Sequence, residues 1–266
     1  MWWILLLLLL VLFISVGVSW LVISNEPYTN IELTPGMPYE VAGRKYVFPA
    51  TEDIINKPHL LKTEVIESIR EILMRAHKMF DELKIEYHVT GGTLMGIAKH
   101  KTIPMPWDDD ADICVDWENR DYFWTPDFRT IAARHGLDVR YLKHNTLTHA
   151  DHHGACVRLQ LLGGGYETCD IFFWKKVADQ VWKIDSWDGD TVYPNAKEQF
   201  KYDDVFPRKK SVVDGMEVML PHNPEALLVQ QYGAKVLHTI IARPQVFSHR
   251  FPMQFLRLLW VTSPTA

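Results

Sequence analysis

The amino-acid sequence predicts an α/β (α+β) domain, a mixed sheet flanked by helices, preceded by an N-terminal transmembrane helix. Three observations carry that expectation. Residues 63–83 repeat apolar side chains at three-four spacing, the pattern of an amphipathic helix. Short runs rich in Val, Ile, Phe and Cys at 111–116, 155–162 and 167–174 are bounded by turn residues and read as buried strands. Residues 2–23 carry no charged side chain at all. The expected organisation is an anchor over residues 1–24, a stem or linker over 25–58, one folded domain over 59–245 and a C-terminal docking tail over 246–266.

The apolar N-terminal run of 22 residues would extend about 33 Å as a helix, close to one bilayer core. A signal peptide has a shorter apolar region, about 7–15 residues, behind a basic segment, and Met1-Trp2-Trp3 supplies no basic residue. A retained signal anchor is therefore expected, in a single-pass protein of the secretory pathway (Golgi or ER) with its domain in the lumen. Cleavage would instead release a secreted domain. The stem carries Pro27, Pro35, Pro38, Pro49 and Pro58. In the following helix Glu64 and Glu67 lie early and Arg75 and Lys78 late, which suits the helix dipole. A strand is expected at 86–90, a tight turn at Gly91-Gly92, a helical turn or two at 94–99 and a proline-broken loop at 102–107. Beyond the strand at 111–116, a helix at 128–134 stops at Gly136, and strands follow at 139–142, 155–162, 167–174 and 181–185. A helix at 224–232 opens with Pro224 and stops at Gly233. The apolar segment 251–261 is expected to dock on the domain.

Composition excludes several classes of function. With 47% hydrophobic and 23% charged residues the chain is an ordinary globular protein. Its net charge of -5 argues against nucleic acid as the main partner, which would demand a basic face. Three cysteines, Cys114, Cys156 and Cys169, make no disulfide framework.

Chemistry concentrates in the stretch Pro106-Trp107-Asp108-Asp109-Asp110-Ala111-Asp112, directly ahead of the apolar Ile113-Cys114-Val115. In a strand, alternation places Asp108, Asp110 and Asp112 on one face and Asp109 on the other. Like charges crowded at a half-buried position need a compensating cation. A hard divalent ion, Mg2+ or Mn2+, prefers such oxygen donors. The bland alternative is a solvated acidic loop. Asp170, alone in the apolar run Cys169-Asp170-Ile171-Phe172-Phe173-Trp174, completes a three-carboxylate site if its strand lies beside the first. A salt bridge to Arg158 is the competing reading. Gly91 and Gly92 let backbone amides approach a phosphate at the start of a helix. Lys99, Lys101 and Arg158 are candidate phosphate contacts. His149, His152, His153 and Cys156 form a cluster whose spacing matches no closed zinc set.

The ordered series Gly91-Gly92-Thr93-Leu94-Met95-Gly96, His100-Lys101 and Pro106-Trp107-Asp108-Asp109-Asp110-Ala111-Asp112-Ile113 resembles the LicD family, to which fukutin and fukutin-related protein belong. The likeness extends over roughly residues 62–233 through Val157-Arg158, Asp170-Ile171-Phe172, Phe206-Pro207 and Met219-Leu220-Pro221. It implies a nucleotidyltransferase-like fold and a metal-dependent phosphotransferase. Such an enzyme moves a phospho-alcohol, for example phosphocholine or ribitol phosphate, from a CDP-linked donor to a hydroxyl of a glycan acceptor, releasing CMP. On that resemblance Asp110, Asp112 and Asp170 are the catalytic, metal-holding carboxylates with Asp108 beside them, and Gly91, Gly92 and Thr93 face the phosphate. Thr102 departs from the family, standing where glycine is common. The rival readings are a membrane-anchored glycosyltransferase using Asp110-Ala111-Asp112, and an inactive relative that binds a glycan.

Overall fold

Helix α1 (Thr63–Leu83) lies across a seven-stranded sheet, and its sequence dictates which face it presents. Val65, Ile66, Ile69, Ile72, Leu73, Ala76, Met79 and Phe80 recur at helical spacing, and all are buried. Each fully buried Val, Ile, Leu, Met or Phe contributes about 1.5–3 kcal/mol, so the stripe outweighs the helix's own propensity. Lys84, in the left-handed region at φ 54°, ends the helix and turns the chain into the sheet. The structure is a computed structural model and describes residues 27–41, 43–48, 53–55, 58–142, 156–165, 167–179, 181–185 and 199–241. The expected membrane helix at 2–23, the docking tail and His149, His152 and His153 lie outside the described residues. Among those that are described, no helix is long and apolar enough to cross a membrane.

The sheet is of mixed orientation. β6 (Tyr87–Val89) pairs antiparallel with β7 (Asp110–Asp116), and β7 pairs parallel with β10 (Thr168–Ala178). The other edge of β10 is shared by β9 (Cys156–Leu161) near its start and β11 (Val181–Asp185) near its end, both antiparallel. β8 (Leu137–Leu142) extends the sheet beyond β9, and β12 (Gln199–Lys201) extends it beyond β11. β7 and β10 are central and covered, so they read as continuous apolar runs in the sequence. Ala111, Ile113, Cys114, Cys169, Ile171 and Trp174 are wholly buried. Neither Cys114 nor Cys169 is in a disulfide. α2 (Gly91–Met95) follows β6 and runs into a π-helical turn, Gly96–His100. α3 (Pro126–Arg134) starts with proline behind the capping hydroxyl of Thr125, which accepts the Phe128 amide at 3.2 Å. A short helix, α4 (Tyr202–Val205), follows β12, and α5 (Pro224–Tyr232) is capped by Asn223 and ends at Gly233 as expected.

The segment expected as a stem is different. β1 (Tyr28–Glu32) pairs with β5 (His59–Leu61), and β2 (Pro38–Val41) forms a hairpin with β3 (Arg44–Val47). β4 (Asp53–Ile55) pairs with β15 (Thr239–Ile241). Leu33 and Phe48 are buried in the main core, and Phe48 packs edge-on against Trp107 at 5.4 Å. Pro27, Pro35, Pro38 and Pro58 punctuate these short strands, and Leu33 and Phe48 still reach the core. The arm also meets the hairpin of β13 (Lys209–Val213) and β14 (Met216–Leu220), whose Asp214-Gly215 turn has both residues at positive φ. Asp214 takes ion pairs from Arg44 and Arg70, and Arg70 also donates to the Ile103 carbonyl at 2.8 Å. These contacts fix the loop that leads into the acidic turn.

At the end of β7, Arg208 forks onto Asp116 and reaches Glu86 at 3.2 Å and His88 Nδ1 at 3.3 Å. Its guanidinium also lies over the Phe206 ring at 4.5 Å. Burial, and then the Arg208 charge, hold the fully buried His88 well below the usual imidazole range.

Candidate active site

The parallel register of β7 and β10 sets Asp112 directly beside Asp170, and Asp110 beside Thr168. Residues in register on adjacent strands share a face about 4.8 Å apart. Asp108, Asp112 and Asp170 are each 7% exposed, while Asp110 at the mouth of the strand is half-buried. β7 starts at Asp110, so strand alternation does not extend to Asp108 and Asp109. Those two residues follow a turn in which the Asp108 amide donates to the Met105 carbonyl at 3.0 Å. In consequence Asp109, which alternation assigned to the opposite face, joins its neighbours. Asp108, Asp109 and Asp110 each offer an oxygen within 4.8 Å of the others.

Gly91 and Gly92 make room for the acids. A Cβ at Gly91, itself at φ 54°, would stand 2.5 Å from Asp112 Oδ2, and one at Gly92 would stand 2.0 Å from Asp108 Oδ2. Any side chain at either position would displace a carboxylate. The Gly92 amide donates to Asp112 Oδ2 at 3.1 Å, and the Asp112 amide donates to Thr93 Oγ1 at 2.7 Å. The sequence reading gave these groups to a phosphate, whereas here Gly92 and Thr93 hold Asp112 in place. The turn, the helix start and the strand form one hydrogen-bonded unit.

The basic candidates are spread more widely. Arg158 on β9 stands opposite Asp170, and its Nε and Nη2 engage both carboxylate oxygens at 2.6 and 2.5 Å. The salt bridge that competed with a metal role for Asp170 is thus present. Lys101 is exposed, adopts φ 55° and donates through Nζ to the Ala98 carbonyl at 2.8 Å, closing the π-helical turn. Lys99 sits in the same turn. Burial first, and Lys99 second, push the His100 imidazole down to about 4. The His100 ring packs edge-on against Trp107 at 5.1 Å, continuing the contact from Phe48 to the residue before Asp108. Sequence reasoning missed this aromatic support, although Trp107 adjoining the acids was its visible sign.

Negative charge gathers at this end of the strand pair. The Cys169 thiol is pushed well above its ordinary range, first by burial and then by Asp170, Asp112 and Asp110. Carboxylate oxygens are the donors Mg2+ and Mn2+ prefer. Asp108, Asp109 and Asp110 bring their oxygens within 4.8 Å of one another, a group that Asp112 and Asp170 do not join, and Gly91 and Gly92 leave the room that the Asp112 and Asp108 carboxylates occupy. The residues present therefore fit such an ion.

A family model described as LicD/FKTN/FKRP, nucleotidyltransferase domain, matches residues 84–223, more than half of the chain. An uncharacterized protein, RT0683, of Rickettsia typhi is 28% identical over 194 residues, covering 71% of this chain and 52% of the relative. The chain thus spans about half the length of the curated relative it matches. The lincosamide antibiotic adenylyltransferase LnuA, solved with lincomycin bound, is similar over 63% of this chain and 94% of its own, with 13% identity and a TM-score of 0.36. ANT(2")-Ia, solved with adenylyl-2"-tobramycin, is similar over 60% of this chain and 70% of its own, with 16% identity and a TM-score of 0.32.

Proposed function

The chain belongs to the LicD/FKTN/FKRP family, and from that premise we propose that it is a metal-dependent phosphotransferase. It moves a phospho-alcohol from a CDP-linked donor to a hydroxyl of a glycan and releases CMP. The observation that carries this reading is the convergence of Asp108, Asp109 and Asp110, with Asp112 and Asp170 in register, over the side-chain-free start of α2. Asp108, Asp110, Asp112 and Asp170 would hold Mg2+ or Mn2+, and the bound ion would neutralise charge on the transferred phosphoryl group.

The remaining work falls to the chain's own groups. Gly92 and Thr93 fix the rotamer and backbone of Asp112, which keeps the carboxylate row from collapsing away from its ligand. A carboxylate of the aspartate cluster would take the acceptor hydroxyl's proton. The acceptor oxygen forms its bond to the phosphorus bearing the alcohol. The bond from that phosphorus to the bridging oxygen breaks, and CMP leaves with the electron pair. Lys99 and Arg158 are the candidate phosphate contacts. The apolar run 2–23 is proposed as a signal anchor holding the domain in the lumen of the secretory pathway.

The test is product identification after incubation with a panel of CDP-alcohols, nucleoside-diphosphate sugars, Mn2+ and glycan acceptors. CMP together with a phosphodiester-linked product is expected. Release of a nucleoside diphosphate would identify a glycosyltransferase instead, and Mn2+ binding without turnover of any donor would identify an inactive relative.

A further inference from the structure

We propose that Arg158 is an exchangeable counter-ion, carried by Asp170 in the free protein and transferred to the donor's diphosphate when a divalent cation takes its place. The inference rests on the phosphotransferase reading above and deepens it. Four residues in exact cross-strand register make one row over the sheet. Asp112 on β7 stands beside Asp170 on β10, Asp170 beside Arg158 on β9, and Arg158 beside Arg140 on β8. Paired residues share a face, so the row runs acid, acid, base, base. Its acidic half adjoins the carboxylate cluster, and its basic half forms a strip where a diphosphate next to that cluster would lie.

Two features make Arg158 the member that moves. Its fork occupies both oxygens of Asp170, so a divalent ion held with the help of Asp170 would have to compete with a guanidinium for that carboxylate. Two cations on one carboxylate repel each other strongly even in a well-screened environment. Burial decides which partner yields. The Asp170 side chain is 10% exposed on a central strand, while Arg158 is 28% exposed. A like-charged neighbour, Arg140, 52% exposed and bonded to Asp138 at 2.6 Å, stands on its other side. Once released, the planar guanidinium matches a phosphate as well as it matched the carboxylate. The same side chain thus prevents Asp170 from being a bare buried charge before loading and meets the donor afterwards.

The exchange predicts two effects of opposite sign in one variant. Titration calorimetry with Mn2+ alone should give Arg158→Gln an affinity on the order of tenfold higher than wild type, because the competing cation is gone. With Mn2+ saturating, CDP should bind the same variant on the order of tenfold more weakly, and Arg140→Gln should weaken CDP without changing Mn2+. A purely structural clamp moves neither quantity in this crossed way. Arg158→Lys, which keeps the charge but loses the fork, should show the same signs at smaller size and serves if the Gln variant does not fold. Wild-type Mn2+ binding with unchanged or weaker binding in both variants overturns the exchange alone. Failure of the wild type to bind Mn2+ overturns the metal-dependent reading and the exchange with it.

Discussion

Two aspartate–arginine forks stand at opposite ends of the β7–β10 pair, and they are built in opposite senses. At the Asp116 end the cation is the buried partner, with Arg208 2% exposed and Asp116 25% exposed. At the Asp170 end the carboxylate is the buried partner, 10% exposed against 28% for Arg158. Arg208 is further held by Phe206, Glu86 and His88 and has nowhere to go. Asp170, as a buried carboxylate, needs a compensating partner, and the one seen here is the more exposed Arg158. One sheet therefore carries a lock at one end and an exchangeable pair at the other, and the difference lies in which partner reaches solvent.

The largest expected effect is at the open end and is on activity. Asp110→Ala and Asp112→Asn should each reduce CMP release by on the order of 10^4-fold, about 5 kcal/mol of barrier. Their thermal unfolding should stay close to wild type, since these acids repel one another. Retained turnover in both would remove the acids from the chemistry. At the locked end the expectation is reversed. Arg208→Met leaves Asp116 without its principal partner and should cost about 3–5 kcal/mol in denaturant unfolding, with CMP release per folded molecule little changed. A loss of turnover without a loss of stability would erase the contrast between the ends.

The arm offers an intermediate case, because Phe48 joins the core to Trp107 beside the acids. Phe48→Ala should cost about 3 kcal/mol of stability and also lower turnover by shifting the acidic turn. Unchanged stability would return residues 27–58 to the status of a stem. The smallest effect concerns pH. His88 has a folded pKa below its unfolded value, so the native state binds fewer protons and stability rises with pH across that interval. Below about pH 6.5 the melting temperature should fall, and His100, pushed down to about 4, adds to the same trend. His88→Gln should flatten the slope, whereas an equally steep fall in that variant would place its origin elsewhere.

Much of this arrangement is legible in the sequence. The three-four spacing of residues 63–83 and the apolar runs around Cys114 and Cys169 located α1, β7 and β10, because buried central elements leave plain periodic marks. The hairpin at Val212-Val213-Asp214-Gly215-Met216 carried an equally plain turn signal that the sequence reading passed over. The arm strands left little mark, being three to five residues long and broken by proline. Asp109 was misplaced for a different reason: alternation holds only inside a strand, and the strand begins one residue after it. That the Gly92 amide and the Thr93 hydroxyl serve Asp112 depends on how tightly the turn closes over β7, and glycine in a sequence marks a close approach without saying to what.

Anomalous diffraction from a crystal soaked in Mn2+ tests the carboxylate site most directly. A peak coordinated by oxygens of Asp110 and Asp112, with Asp108 or Asp170 completing the set and Arg158 withdrawn from Asp170, is expected. A protein that binds Mn2+ elsewhere, or shows no peak at these acids at saturating ion, would contradict the proposed chemistry.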